Sequence, residues 1–530
     1  MVKLGKILFA CCLLSSLCGC SSENEGSTSM DNPEFDVYSA NDLLSHLRDN
    51  KNINLKSDID LTDISWPLDV TYNAILDGRG HKISNLKLET SSQKANIGFI
   101  SINEGTIQNI TFEDAEIKVT TEASDVGVIC GRSGGNLNNI NVTGKIDASV
   151  CTSVGGVTGY VYGSASNLTS DVEIKGLSKV GGVIGAWSIE QGTIDNLVNY
   201  SPVSGGDSVG GVFGYVQGIK GIDGYTLTIS NCKNHADVNG NAGVGGIVGY
   251  NTNSCSDYGT SFAMTSFLFC ENEGKITGTN EKVGGIAGEA MPADILNCKN
   301  SGDISGAGRV AGIIGYKPTI GYFQCDRFYA SNCVNEGDIV ATTSGNAGGL
   351  FSRAGRINDC ANYGNVTALM NGANVGGISA LFGIGDNGNK GLNYISDDAK
   401  VFNLKNTGNI TGGNSTGGIF GDVEGRPNWY TVSKLFNEGT VSGLEAVGGI
   451  FGGILSGYQP IGPSADYTNG MSLKVLYSEN SGRISGKNYV YGIIGNYGNN
   501  RLETKDEHRF TNVNSGDIVA EGADYGEIYK

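Results

Sequence analysis

Few residues in this 530-residue chain are placed to do chemistry, and those that are tend to be aromatic or acidic. Tyr258, Tyr322, Phe323, Tyr329, Trp429, Tyr430, Tyr458 and Tyr467 fall in stretches of extra sequence between recurring apolar phrases, and Tyr225, Phe262, Phe328 and Tyr497 occupy like positions. Exposed Tyr and Trp rings offer flat faces to sugar rings or rigid anchors to a protein partner. These are the candidate binding residues. Acid–base chemistry would fall to Asp386, Asp397, Asp398 and Asp422 in the same stretches. A glycoside hydrolase needs two facing carboxylates, and a polysaccharide lyase needs a Lys, Arg, His or Tyr base beside a group that neutralises the substrate carboxylate. A degenerate repeat does not set these aspartates opposite one another, so no catalytic residue is assigned. His46, His81, His235 and His508 are followed by Leu, Lys, Ala and Arg, so none opens a His-Glu-x-x-His zinc motif. There is no paired Cys-x-x-Cys beside a histidine either. No metal or cofactor is expected.

The N-terminus carries a different chemistry. Lys3 and Lys6 precede a short apolar run from Ile7 to Leu17, too brief to span a bilayer. Leu17-Cys18-Gly19-Cys20 then reads as a lipoprotein cleavage box, with lipid added at Cys20 and residues 1–19 removed. The following Ser21-Ser22-Glu23-Asn24-Glu25 resembles the acidic surface-export signal of Bacteroidota lipoproteins. The expectation is an outer-membrane, surface-exposed protein whose only membrane contact is its lipid anchor, because no later stretch approaches eighteen apolar residues.

The net charge of −18 becomes −20 once Lys3 and Lys6 leave (−18 − 2). That balance repels nucleic acid and anionic headgroups. Glycine is abundant (83 residues) and proline scarce (8), and the glycines recur inside apolar phrases. With Val, Ile, Asn and Thr also common, the composition suits short strands joined by many tight turns.

The phrase Val-Gly-Gly-(Ile/Val)-x-Gly returns along the chain, from Val154, Val180, Val209, Val244 and Val283 to Val447 and Val490, with weaker first copies at Val126 and Ile97. Spacings are 26–29 residues where shortest and reach 43. A second phrase follows each, such as Cys270-Glu271-Asn272-Glu273-Gly274-Lys275-Ile276. Three short apolar runs per repeat predict a triangular coil. Stacking about thirteen coils roughly 4.8 Å apart would build one continuous core and pair every strand. The expected fold is all-β, a right-handed parallel β-helix with a short N-terminal capping helix. Residues after Gly-Gly (Val157 through Ile493) should form an inward aliphatic ladder, and Asn199 through Asn514 a second ladder of corner asparagines tolerant of left-handed backbone.

These Gly-Gly-Ile-x-Gly phrases, with the lead-in Ile75-Leu76-Asp77-Gly78-Arg79-Gly80-His81, resemble the GLUG-motif repeats of bacterial surface proteins from about Leu55 onward. The resemblance implies the β-helix and says little of function. Similar repeats accompany zinc metallopeptidases that cleave immunoglobulin A, whose zinc motif this chain lacks.

The expected organisation is a signal peptide (1–19), an acidic tail and linker (20–34), a cap with the first coils (35–95) and the repeats (96–530). Ser39 or Asn41 should cap a helix carrying Leu43, Leu44 and Leu47, which would plug the open core. Cys232, Cys270, Cys298, Cys333 and Cys360 share one repeat position and should stack as buried thiols, whereas Cys255 and Cys325 in the insertions are better placed for a disulfide. The insertions cluster between the Gly-Gly phrase and the Asn phrase, about 215–226, 250–266, 316–328, 380–398, 422–431, 453–470 and 496–508, which predicts one decorated corner. Phe213, Val248, Ile314, Phe351, Phe420, Phe451 and Ile494 are expected to face outward as an apolar stripe, which the inserted aromatics would either cover or leave free for a ligand. The leading reading is a surface lipoprotein that binds a glycan or a host or bacterial protein. A β-helix lyase or hydrolase and a structural stalk are the alternatives.

Overall fold

The computed structural model describes residues 33–93, 95–188, 194–218, 226–252, 264–290, 293–317, 328–343, 345–383, 401–424, 430–456, 473–496, 512–521 and 525–526. Among them the chain is a parallel β-helix. Every strand pairing is parallel, and the strands fall into a 14-stranded sheet and a 46-stranded network that covers the remaining faces. The 14-stranded sheet takes its strands in chain order, from Thr71–Tyr72 to Ile494–Asn496.

Each coil has more segments than the three apolar runs suggest. One coil runs through Thr226–Ser230, Lys233–Asn234, Val238–Gly240 and Val244–Gly245 in the large network, then Val248–Thr252 in the 14-stranded sheet. Register is kept along the Val-Gly column, as in Val209, Val244, Val283, Val310, Ala347 and Val375, and shifts locally at Phe112/Ala115, Ala148/Thr152 and Asp422/Glu424. Slippage by one residue would turn the apolar set toward water, so the buried interior enforces the register. The aliphatic ladder from Val157 to Ile493 is fully buried.

The asparagine ladder is also buried from Asn199 to Asn480, with Asn514 half-buried at its end, and it is a continuous chain of amides. Each Asn from Asn199 to Asn480 donates from Nδ2 to Oδ1 of the next, through Asn234, Asn272, Asn300, Asn335, Asn362, Asn406, Asn437, Asn480 and Asn514, at 2.7–2.8 Å. The second N–H of each amide goes to the backbone carbonyl two residues on, as from Asn300 to Gly302 O at 2.8 Å. These asparagines do not have left-handed backbone. That conformation belongs to a separate column at another corner, Asn109, Asn139, Asn167, Asn196, Asn231, Asn297, Asn332 and Asn403, with φ between +53° and +57°. Asn is among the few residues that adopt it at low cost. The sequence reading merged two columns with different tasks.

The glycines of the motif follow from close backbone approach. A Cβ on Gly210 would lie 2.0 Å from Phe213 O, and one on Gly214 would lie 2.3 Å from Val180 N. A Cβ on Gly211 would lie 2.3 Å from Asn234 Cγ, inside the ladder amide. The Gly of Asn-x-Gly is equally confined, since a Cβ on Gly302 would lie 1.9 Å from Gly274 O.

The expected outward stripe does not exist. Phe213, Val248, Ile314, Phe351, Phe420, Phe451 and Ile494 are all buried. The Gly-Gly turn resets the alternation, so two consecutive side chains enter the core at this corner. The rings then stack inside: Phe382 to Phe420 at 4.6 Å, Phe420 to Phe451 at 5.2 Å, and Trp187 to Phe213 at 5.8 Å. Phe328 is buried too, edge-on to Phe351 at 5.1 Å, and is not a loop aromatic.

Ser39 caps the helix Ala40–Arg48, its Oγ accepting from Asp42 N at 3.3 Å. Leu43 and Leu47 are buried over the first coil and Leu44 is partly buried, as the capping reading expects. Cys232, Cys270, Cys298, Cys333 and Cys360 form a buried column of free thiols between Leu197 and Leu404. Their sulfurs point at backbone carbonyls, as Cys333 Sγ does at Ile295 O (3.3 Å). Burial pushes the Cys232, Cys298 and Cys360 thiols well up, which favours the neutral form. Cys255 and Cys325 lie outside the described residues.

The amide chain makes a stability prediction. Asn300→Ala orphans a donor on Asn272, the Asn335 Oδ1 and the Gly302 carbonyl. At roughly 1–3 kcal/mol per buried orphan, the loss from three orphans should be about 3–9 kcal/mol. Asn514→Ala, at the end of the chain, should cost only about 1 kcal/mol. Denaturant midpoints of the two variants test this, and equal losses would show that the ladder is not a linked unit.

Candidate binding face

The outer surface of the 14-stranded sheet carries the densest cluster of rings and cations among the described residues. Tyr160, Tyr215, Tyr250 and Tyr316 occupy one register column with Arg132, Ala186 and Glu289. The residue before each Val-Gly phrase supplies a second column beside it, including Lys179, Lys282 and Arg309. The two columns interlock. Lys179 Nζ sits 4.8 Å from the centre of Tyr215, which stacks on Tyr250 at 5.9 Å with rings 6° from parallel. Lys282 Nζ lies 5.7 Å from Tyr250 and 5.1 Å from Tyr316, and Arg309 Cζ lies 4.4 Å from Tyr316. Arg132 covers Tyr160 at 4.7 Å and Tyr162 at 5.1 Å. Each such cation–ring contact contributes about 0.5–2 kcal/mol depending on its exposure.

Carboxylates balance these cations. Glu289 is buried, 2.8 Å from Lys282 Nζ. Glu281 pairs with Arg309 at 2.5 Å, and Glu104 accepts from the Tyr162 hydroxyl. Burial, with the nearby Glu289 carboxylate, pushes the Tyr250 phenol up to about 12. Asp125, buried beside Arg132, is pushed up to about 6 by desolvation, which a hydrogen bond from Ser153 and the charges of Arg132 and Lys179 only partly offset. The ring faces of Tyr215, Tyr250 and Tyr316 are largely taken by their neighbours. What this strip presents is ring edges, hydroxyls and cationic tips, suited to hydrogen bonding. Open stacking platforms must come from elsewhere.

The sequence-derived candidates place differently. Tyr329 is half-buried in the strand Phe328–Ser331, in register with Asp294. Tyr430 begins the strand Tyr430–Asn437 and pairs through its backbone with Leu473. Tyr258, Tyr322, Phe323, Trp429, Tyr458, Tyr467 and Cys20 lie outside the described residues, as do Tyr225, Phe262 and Tyr497. So do Asp386, Asp397 and Asp398, while Asp422 is buried, its own carboxylate accepting from Val423 N at 2.8 Å. The tyrosine column was readable and missed: Tyr160, Tyr215, Tyr250 and Tyr316 each directly follow the last Gly of the repeat phrase. Among the described residues no group of three or more His, Cys, Asp or Glu side chains is arranged to hold a metal ion, and no helix is long and apolar enough to cross a membrane.

No family model matches the chain. A 95-residue stretch, 18% of the chain, is 36% identical to halomucin of Haloquadratum walsbyi, and the chain spans about 1% of that protein's length. Among solved structures, that of a candidate immunoglobulin A1 protease from Bacteroides ovatus aligns with 47% of this chain and 78% of its own, at 19% identity and a TM-score of 0.35. A likeness of that size adds no argument about function.

Asp125 gives a pH prediction. Its folded pKa of about 6 lies above the ordinary 3.8, so the folded state binds the proton more tightly. Stability should therefore fall as pH rises from about 4 to about 6, and stay lowered above that. Asp125→Asn should remove the slope and raise stability at pH 7 by up to about 3 kcal/mol, with no gain below pH 4. Melting curves from pH 4 to 7 decide it, and a variant less stable than the parent at pH 7 refutes the account.

Proposed function

We propose that this chain is a lipid-anchored surface protein, built from GLUG-type repeats, that holds an extended glycan or protein ligand along one decorated corner of its β-helix. The observation that carries the reading is where the insertions leave and rejoin the scaffold. Residues 219–225, 253–263, 318–327, 384–400, 425–429, 457–472 and 497–511 each follow a strand of the 14-stranded sheet. The first six precede the opening strand of the next coil, and the last precedes Val513–Asn514. Insertions that share a corner of a solenoid line up on one face, often its binding face. The first three follow the strands that carry Tyr215, Tyr250 and Tyr316, and the insertions contain Tyr258, Tyr322, Phe323, Trp429, Tyr458 and Tyr467, with Tyr329 and Tyr430 just after two of them in sequence. Because the apolar residues of this corner lie inside the coil, the inserted aromatics have no outer stripe to cover. That removes the reason for reading them as lids.

The double variant Trp429→Ala/Tyr430→Ala should lose at least tenfold in ligand affinity on a glycan array or in a surface pull-down. If these rings serve a ligand and not the core, its melting temperature should stay within about 2 °C of the parent. A large drop in stability would return these aromatics to a structural role, and intact binding would remove them from the site. Anchoring is tested separately: Cys20→Ala should move the protein from the membrane to the soluble fraction, and retention in the membrane would refute the lipoprotein reading.

A further inference from the structure

We propose that the gap beside the strand Lys87–Thr90, in the first full coil, is a strand-addition site for an extended peptide of a partner protein that alternates apolar and basic residues. The proposal is independent of the decorated corner. In this coil the strands Ile75–Asp77 and Lys82–Ser84 are paired on both sides, by Asn52–Leu55 and Ile59–Asp60 on one and by Thr106–Val119 on the other. Lys87–Thr90 pairs only with Thr106–Val119, through Glu116↔Lys87 to Val119↔Thr90. Among the described residues no strand lies along its other edge.

Where that strand would run, residues 61–70 bow away instead. They are pinned at both ends and at one point between: Leu61 N donates to Ser84 O (2.9 Å), Trp66 Nε1 to Phe99 O (2.7 Å), and Ser101 Oγ to Leu68 O (2.8 Å). Trp66 also stacks on Phe99 at 4.5 Å. The space left between this loop and the strand edge is a cavity of about 590 Å³, within the range of built ligand sites.

The edge is a donor and acceptor row. Leu86 O and Thr90 O accept from Glu116 N and Thr120 N, at 2.8 and 3.1 Å, on the paired side. Successive peptide groups of a strand point to opposite sides, so the N–H and C=O groups of Lys87 and Glu89 point to the gap. An open edge of this kind is a template for an added strand.

Side chains select the occupant. Leu61, Trp66, Leu68, Leu86 and Leu88 give the cavity an apolar floor. Asp63, Glu89, Asp114 and Glu116 line its rim against one cation, Lys87, a formal balance of −3 (−4 + 1). Lys87 lies 3.8 Å from Glu116, and the flanking Lys118 and Lys145 pair with Glu89 and Glu116 at 3.6 and 3.1 Å. Asp63 and Asp114 remain as exposed, unpaired carboxylates. The chain's own residues 21–32, with Glu23, Glu25 and Asp31 and no Lys or Arg, carry the wrong charge for this rim.

The test is a fluorescence-anisotropy titration of the purified full chain with a labelled Lys-Val-Lys-Val-Lys-Val-Lys peptide. Controls are the Glu-for-Lys peptide and a version N-methylated at alternate amides along one edge. The basic peptide should bind, N-methylation should weaken it at least tenfold, and the acidic peptide should fail. Glu89→Pro, which removes an outward N–H and leaves the pairing with Thr106–Val119 intact, should weaken binding at least tenfold. Asp63→Asn/Asp114→Asn should weaken it severalfold at low salt. Equal binding of the N-methylated or acidic peptide overturns the proposal, as does no binding of the basic peptide. The N-methylated probe decides the matter even if Glu89→Pro does not fold.

Discussion

Most of this molecule depends on one buried chain of amides. A carboxamide placed in an apolar interior costs several kcal/mol unless its donors and acceptor are used. Here each ladder asparagine from Asn234 to Asn480 uses both N–H groups and its oxygen: one donor to its own coil, one to the next, and acceptance from the one before. That geometry is possible only where three stretches of backbone come close. The Gly-Gly of the repeat leaves room for the amide, and the Gly of Asn-x-Gly brings successive coils within reach. The repeat phrase is thus the imprint of the amide chain on the sequence.

The first coils show the alternative solution. The ladder column begins Ile83, Phe112, Val142 and Ser170 before it becomes asparagine at Asn199. In those coils the position of the second glycine reads Phe99, Val128 and Gly156. Phe99 meets Phe112 edge-on at 4.9 Å. A side chain on one side of the pair goes with an apolar residue on the other, and a glycine goes with a polar one. What reads in the sequence as weak copies is a second way of filling the same volume, packed by apolar contact where amides would otherwise need partners. The helix with Leu43 and Leu47 closes this apolar end, where no amide chain has to be terminated.

The period, both ladders, the thiol column and the capping helix were legible in the sequence because each repeats or obeys a local rule. The direction of Phe213 or Phe451 was not. Alternation assigns the residue after the aliphatic ladder to the outside, and only the close-packed glycine turn restarts the count. The separation of the buried asparagines from Asn109, Asn139 and their left-handed column was hidden for a related reason, since one residue type serves two corners. The bow of residues 61–70 has no periodic signature at all. Of the candidate site, the shared corner was readable from spacing, whereas the cation–ring strip needed two columns about thirty residues apart to be seen as neighbours.

The scaffold and its decorations divide the work in a way the register makes plain. Seventeen positions, 384–400, separate Gly383 from Val401, yet Val401 pairs with Val432 and Leu404 with Leu435 as if nothing intervened. Lengthening a loop costs little, since closure entropy grows only with the logarithm of its length. An insertion within a strand would instead break the amide chain and shift every inward residue of that coil. Variation is therefore channelled to the corner between the 14-stranded sheet and the next coil. The seventeen extra positions leave the amide chain intact, since Asn362 still meets Asn406 at 2.8 Å across them in sequence.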